Sequence, residues 1–333
     1  MLKKLTIHGF KSIERQIIEL GALNVLIGAN GSGKSNLLGA FSFFRASALG
    51  DRDTVVKRAG GADRVLFHGK KNTKACFFAC ESDEFSYEQT LMPVAGDQLA
   101  PLDDEDIVPA NEIALVKQQI ETWRMYHLHD TSATAAVKSS CNVDDNRYLR
   151  EDSANLAAYL YWLKQKQPTE YGRIVATIQL AIPYFEDFML APLRRNEQMI
   201  RLEWKQRHSD AYFDADSLSD GSLRFVSLVT LLNQPRWAMP SLIVIDEPEL
   251  GLHPLAIRLL AEMLDAASEH TQILVATQSV TLLDNFPLEQ VIVTEHDGKS
   301  SVFRRLAAED YQAWLENYSI GELWEKNVLG GRP

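Results

Sequence analysis

Eight consecutive residues, Gly28-Ala29-Asn30-Gly31-Ser32-Gly33-Lys34-Ser35, match the phosphate-cradling pattern G-x-x-x-x-G-K-[ST] at every fixed position. The glycines let the chain curl so that successive amide N–H groups face an anion, and the positive end of a following helix adds to that attraction. Asn30, Gly31, Ser32 and Gly33 would form the cradle, Lys34 would reach the β- and γ-phosphates, and the Ser35 hydroxyl would ligate Mg²⁺. This is the chemistry of a nucleoside triphosphate site. A second chemical group closes the aliphatic run Leu242-Ile243-Val244-Ile245, which ends in Asp246-Glu247-Pro248-Glu249. Carboxylates at the carboxyl end of a buried strand stand where α/β sheets bind ligands. Asp246 suits a Mg²⁺ shell, and Glu247 suits orienting and deprotonating an attacking water. Glu249 fits a helix-capping or surface role at least as well. A third group, Leu218-Ser219-Asp220-Gly221-Ser222-Leu223-Arg224, precedes an apolar helical run and offers a hydroxyl and bare N–H groups to an anion, although a serine there also reads as a plain N-cap. Thr277-Gln278-Ser279, at the end of a further apolar run, is a polar trio suited to sensing a γ-phosphate.

These groups need elements to hold them. Leu23 to Ile27 reads as a buried strand, and Asn36 to Phe44 as the helix after the loop. Thr6-Ile7 and Ile17-Ile18 form strand-like segments around Gly9-Phe10-Lys11-Ser12, predicting an antiparallel β element ahead of the loop. After a polar, glycine-bearing stretch from Gly50 to Gly61, segments near Ala75–Cys80 and Phe85–Met92 predict a hairpin. Helix-like runs follow, Asn111 to Met125 and Ser153 to Gln167. In the latter Leu156, Tyr159, Leu160 and Leu163 recur at helical spacing, with Asp152 or Ser153 as N-cap. His253-Pro254 opens another helix, whose Leu259, Leu260, Met263, Leu264 and Ala267 are predicted to face a core. Val291 to Thr294 and Ser301 to Phe303 flank an Asp297-Gly298 turn. The tail carries Tyr311, Trp314, Tyr318 and Trp324, a spacing that suits packing and leaves partner docking open.

With 333 residues, 46% hydrophobic, the chain has material for a large core, in one domain with an insertion or in two. We read residues 1–92 and 211–333 as two parts of one head and 93–210 as an inserted, mainly helical lobe. No apolar run reaches the roughly 18 residues of a membrane span and the N-terminus has no leader-like stretch, so a cytoplasmic protein without membrane attachment is expected. Cys76 and Cys80 lie in an apolar, strand-like run, and Cys141 stands apart; this is a pattern of buried thiols with no disulfide frame. The formal net charge of −11 opposes a uniformly basic, DNA-gripping surface. Local clusters remain at Lys70-Lys71-Lys74 and across Arg194, Arg195, Arg201, Lys205 and Arg207. The acidic run Asp103-Asp104-Glu105-Asp106 reads as a solvated loop.

Four motifs stand in order: the phosphate loop, Leu218-Ser219-Asp220-Gly221-Ser222, Leu242 to Pro254 (LIVIDEPELGLHP) and Thr277-Gln278-Ser279. The set resembles the ATP-binding-cassette ATPases of the SMC, RecF and OLD type, in the branch of small bacterial AAA-like ATPases that lack a long coiled coil. The likeness covers roughly residues 1–90 and 210–305. It implies an α/β P-loop head, with a mixed central sheet flanked by helices, that binds and hydrolyses ATP with Mg²⁺. It also implies a homodimer, or a higher homo-oligomer, in which two ATP molecules are sandwiched, so that Ser219 and Gly221 act on the partner's nucleotide and His253 lies near the dimer seam. Gln278 would hold the switch position often occupied by histidine; glutamine cannot titrate as a proton relay, which implies slow turnover or activation by a partner. The family's glutamine loop stays unassigned among Gln98, Gln118, Gln119 and Gln179. OLD-type relatives carry a nuclease module. Here Val293 to Gly298 only faintly matches its first motif, and no Asp-x-Asp follows. The resemblance therefore implies an ATPase that regulates a separate effector protein in anti-phage defence or DNA surveillance. A RecF-type repair ATPase is the alternative. A transporter ATPase subunit fits less well, because Leu-Ser-Asp-Gly-Ser replaces Leu-Ser-Gly-Gly-Gln and Glu249-Leu250-Gly251-Leu252-His253-Pro254 replaces Thr-Ser-Gly-Leu-Asp.

Overall fold

A computed structural model describes residues 1–102 and 110–332. The acidic run Asp103 to Asp106 lies outside the described residues. From the N-terminus the chain forms β1 (Leu2–Phe10), β2 (Ile13–Glu19), β3 (Leu23–Ile27), α1 (Lys34–Ala48), α2 (Arg52–Arg58) and α3 (Ala62–Val65). There follow β4 (Cys76–Ser82), β5 (Ser86–Val94), β6 (Gln98–Pro101), α4 (Ala110–Glu121) and β7 (Arg124–Tyr126). The middle of the chain holds β8 (Cys141–Asn142), α5 (Leu156–Lys166), α6 (Pro168–Ala181), β9 (Phe185–Phe188), β10 (Met199–Ile200), β11 (Glu203–Gln206) and β12 (Tyr212–Asp214). The last part runs α7 (Asp220–Leu232), β13 (Leu242–Asp246), α8 (Pro254–Ser268), β14 (Gln272–Ala276), α9 (Val280–Leu283), β15 (Val291–His296), β16 (Ser301–Arg305), α10 (Gln312–Leu315) and α11 (Ile320–Glu325). Among the described residues no helix is long and apolar enough to cross a membrane.

The chain divides into two compact units. The first comprises Met1–Met125, Pro240–Val244 and Thr271–Pro333; the second comprises Tyr126–Met239 and Ile245–His270. The first unit runs past the sequence-based border at 92/93 through β6 and α4, and the second includes residues 211–239 and 245–270, which the sequence reading had placed in the head.

In the first unit a five-stranded sheet runs β2-β1-β4-β5-β6, and a six-stranded sheet runs β16-β15-β3-β14-β13-β7. The expected antiparallel element is the β1–β2 hairpin, with Thr6 opposite Ile17. β3 pairs in parallel with β14 and β15 and is buried along its whole length, which is why it reads as an apolar run without polar alternation. Its one polar residue, Asn24, is fully buried and satisfied: it accepts from the Gly21 N–H and donates to the carbonyls of Gly21 and Ile273. Gln272 does the same at the start of β14, tying Leu2 of β1 and Gly21 to that strand. Phe10, Phe41, Phe44, Phe78 and Trp123 fill the core, Phe44 stacking on Phe78 at 5.7 Å. Each such ring contributes about 1.5–3 kcal/mol by leaving water.

Cys76 and Cys80 are buried on β4, as expected. Burial pushes both thiols from 9.0 up to about 12. We expect native protein at pH 8 to leave both unalkylated while urea exposes them, read by mass spectrometry; equal rates in both states would contradict the burial. Because the folded chain keeps thiol protons that the unfolded chain loses above 9.0, their contribution to stability declines as the pH rises from there towards about 12. In the tail, Trp324 is fully buried on α11 and donates to the Gly331 carbonyl at 2.7 Å, so this aromatic is packing; Trp314 and Tyr318 stay exposed.

The stretch read from the sequence as mainly helical also holds short strands. α5 and α6 form a helical pair, but β9, β11 and β12 make an antiparallel sheet, and β8 pairs with β10. These strands have two to four residues, too short to show period-two alternation. α5 buries Leu156, Tyr159, Leu160 and Leu163 as the spacing predicted. Its cap is a correction. The helix begins only at Leu156, because residues 153–155 turn first, with Ser153 at φ 57° and the Asn155 side chain bridging Arg150, Asp145 and Tyr148. On α8, Leu260, Leu264 and Ala267 are buried, whereas Leu259 and Met263 line an open cleft of about 320 Å³ with Leu180 and Arg173.

Candidate nucleotide site

In the first unit, β3 stops at Ile27 and α1 starts at Lys34, so residues 28–33 form the strand-to-helix loop that the motif requires. Two of its glycines have no room for a side chain. A Cβ on Gly33, at φ 118°, would lie 2.1 Å from Ser301 Oγ, and one on Gly28 would lie 2.4 Å from the Thr294 carbonyl oxygen. Lys34 is 6% exposed, and its Nζ donates to the carbonyls of Gly28 at 2.5 Å and Ala29 at 3.1 Å. A cation is thus held against the loop backbone, where phosphate charge would need it. Ser32 Oγ is buried and has no hydrogen-bond partner among the described residues. A buried hydroxyl left unsatisfied costs free energy, and an anionic oxygen in the loop would relieve it. Ser35 is exposed on the first turn of α1.

Residues far along the chain fix this loop. Ser301, at the start of β16, donates from Oγ to the Ser32 carbonyl at 2.6 Å and lies 2.7 Å from Ser12 Oγ, which accepts from Asn36 Nδ2 at 2.7 Å. The Ser301 N–H donates to the Ser12 carbonyl. Lys11, Ser12, Asn36, Phe67, His68 and Lys299 line an open cleft of about 570 Å³ beside the first turn of α1. Burial draws the Lys11 ammonium below its ordinary value. Sequence reasoning named none of Ser12, Asn36 or Ser301 as part of a site; only Asn36, next to Ser35, carried any local signal.

Thr277, Gln278 and Ser279 leave β14 at the same end of the sheet at which β3 enters the loop, since Ala276 pairs with Leu26 and the Thr277 N–H donates to the Leu26 carbonyl. Thr277 Oγ1 accepts from the Ser279 N–H, and Ser279 Oγ caps α9 through the Leu282 N–H. Gln278 is half-buried.

In the second unit, Asp246 and Glu247 follow the buried end of β13, both half-buried. Glu247 has φ 41°, a left-handed conformation that costs a non-glycine residue free energy and recurs at functional sites. The chain then turns tightly, with Leu250 N–H donating to the Glu247 carbonyl and Leu252 N–H to that of Glu249. His253 caps α8, its Nδ1 accepting from the Leu255 N–H at 3.3 Å, with Pro254 in the first turn.

Ser219 caps α7 through the Ser222 N–H at 3.2 Å and is exposed. Gly221 is needed for close approach: a Cβ there would lie 2.1 Å from the Gly251 carbonyl oxygen. Arg224, the last residue of the segment Leu218–Arg224 and one to which the sequence assigned no role, is 6% exposed and donates to the carbonyls of Leu128, His129 and Leu250. The basic clusters are partly neutralised within their own units, Lys70 by Asp97, Arg201 by Glu203 and Lys205 by Glu186.

The sequence profile of a family described as "AAA domain, putative AbiEii toxin, Type IV TA system" matches residues 91–284, more than half the chain, and that of an AAA ATPase domain matches residues 1–147. The chain is 31% identical over 103 residues to the DNA double-strand break repair Rad50 ATPase of Sulfurisphaera tokodaii, a match that spans 29% of this chain and only 12% of that protein. Its fold is that of an SMC head. A crystal structure of an Smc head bound to the C-winged helix domain of ScpA matches with TM-score 0.66 and 16% identity over 94% of this chain and 99% of the other. The Smc head with an extended coiled coil from Pyrococcus furiosus gives 0.64 and 15% over 95% and 98%, and the SMC head of Thermotoga maritima 0.51 and 15% over 92% and 99%.

Proposed function

The chain belongs to this AAA-domain family and is an ATPase with the head fold of SMC proteins, and from that premise we propose how its residues work and what they serve. The observation that carries the reading is the phosphate loop itself, with the Lys34 ammonium held on its carbonyls and the buried Ser32 hydroxyl unsatisfied. Asn30, Gly31, Ser32 and Gly33 present N–H groups to the β- and γ-phosphates and Lys34 neutralises them. The cleft beside Ser12 and Asn36 receives the nucleoside end. Ser35 and Asp246 would hold a Mg²⁺ that arrives with the nucleotide and spreads the phosphate charge; such an ion keeps most of its waters and needs only one or two protein oxygens. Glu247 accepts the proton of the attacking water and Gln278 orients that water. Ser219 and Gly221 of a second copy complete each nucleotide site, with His253 near the seam, so two copies close on two ATP molecules.

The biological role we assign is control of a separate effector by this nucleotide-driven dimer, in anti-phage defence. A family description that names a toxin of a toxin–antitoxin system, hence one member of a pair, supports a dedicated partner. The similarity to Rad50 favours a second reading, an ATPase acting on DNA ends without such a partner. Native mass spectrometry separates these with Mg-ATP, with and without linear DNA and the product of the adjacent gene. We expect the mass to double with ATP and hydrolysis to respond to the neighbouring protein. A response to DNA ends alone supports the second reading, and a monomer under all conditions removes the sandwich.

A further inference from the structure

Arg224 sits on α7 one turn past the segment Ser219–Gly221, and its burial at 6% exposure demands that its donors be satisfied. They are met by backbone carbonyls from two separate stretches of chain: Nε donates to Leu128 at 2.9 Å, Nη2 to His129 at 3.3 Å, and Nη1 to Leu250. Leu250 lies three residues after Glu247, in the tight turn that leaves β13. A second contact holds that turn to the same helix. Gly221, lacking a side chain, admits the Gly251 carbonyl, and Gly251, at φ 77°, leaves the guanidinium its space, since a Cβ there would lie 3.2 Å from Nη1. The start of α7 and the turn after Glu247 are therefore clamped at two points. Asp220 and Glu249 offset part of the cost of burying the charge.

We infer that Arg224 is a positioning residue, which transmits nucleotide engagement at Ser219–Gly221 to the turn bearing Glu247 in the same chain. The inference rests on the reading above, in which that segment engages a partner's ATP. Its planar fork reaches three carbonyls at once, a geometry that a lysine ammonium on a single stem does not reproduce. Binding at one nucleotide site then helps to set the base of the other.

The test is a cycle of ATPase measurements on the full chain, with Ser219→Ala, Arg224→Ala, Arg224→Lys and the two double variants, alongside equilibrium binding of a fluorescent ATP analogue. Arg224→Ala is expected to lower kcat by about 10- to 100-fold with affinity for the analogue within about twofold of the parent, Arg224→Lys is expected to restore part of the loss, and each double variant should be no slower than its slower single parent. If Arg224→Ala fails to fold, the Arg224→Lys cycle decides by the same rule. A folded Arg224 variant with parental turnover, or losses that multiply in the double variants, overturns the inference while Ser219→Ala remains slow. Parental turnover in Ser219→Ala instead brings down the reading of the segment itself, and this inference with it.

Discussion

Lys34→Ala loses ATP binding and hydrolysis together. In the structure the ammonium is almost fully buried and lies against the Gly28 and Ala29 carbonyls, inside the curl of the phosphate loop. A triphosphate entering that loop brings several negative charges into a site partly shielded from water, where charge pairs are stronger than at an open surface. Removing one member of such a pair costs about 2–5 kcal/mol, roughly 30-fold to several-thousand-fold in affinity. The fold should survive, because removing the long side chain opens space for water at the two released carbonyls, and Ser301, Ser12 and Asn36 still hold the loop backbone. Calorimetric titration with ATP, beside a thermal melt, checks both halves. An ATP affinity within about twofold of the parent would falsify the assignment of Lys34.

Glu247→Gln separates binding from chemistry. The amide matches the carboxylate in size and keeps the same backbone, including the left-handed turn at φ 41°, but it cannot take a proton from water. Turnover should fall by about 10²- to 10⁴-fold, the usual contribution of a positioned general base. ATP affinity should change little, since the loop residues that bind phosphate lie elsewhere in the chain. A variant that binds and does not cleave accumulates the ATP-bound state, so on the proposed sandwich the dimer should persist on a sizing column long after the parent has returned to monomer. Single-turnover phosphate release measures the chemical step directly. Parental release rates in a folded Glu247→Gln protein would remove the base from this position and return attention to Gln278.

The phosphate loop and its flanking strand and helix were legible because that motif is local: eight residues carry both the glycines that permit the curl and the side chains that meet the phosphates. The same holds for the Asp297-Gly298 turn, where the Asp297 carboxylate accepts from the N–H groups of Lys299 and Ser300, and for the apolar face of α5. What stayed hidden depends on partners distant in sequence. Ser301 fixes the loop at Ser32, 269 positions earlier, and no pattern around Ser301 marks it. The roles of Asn24 and Gln272 likewise emerge only from their backbone partners, distant in sequence. Helix α2, lying within the polar, glycine-bearing stretch, and the short strands of the second unit were missed because their periodicity is too brief to stand out.

By itself, then, the sequence determined that this chain carries a nucleoside triphosphate loop, since phosphate binding needs contiguous residues whose geometry is written locally, and the order of its four motifs carried the resemblance to an ATPase head. Tertiary structure alone decided what holds that loop and the turn after Glu247 in place. Ser301 and Arg224 act by donating to backbone carbonyls, and every residue has such a carbonyl, so no residue type at the receiving end marks the contact in the sequence.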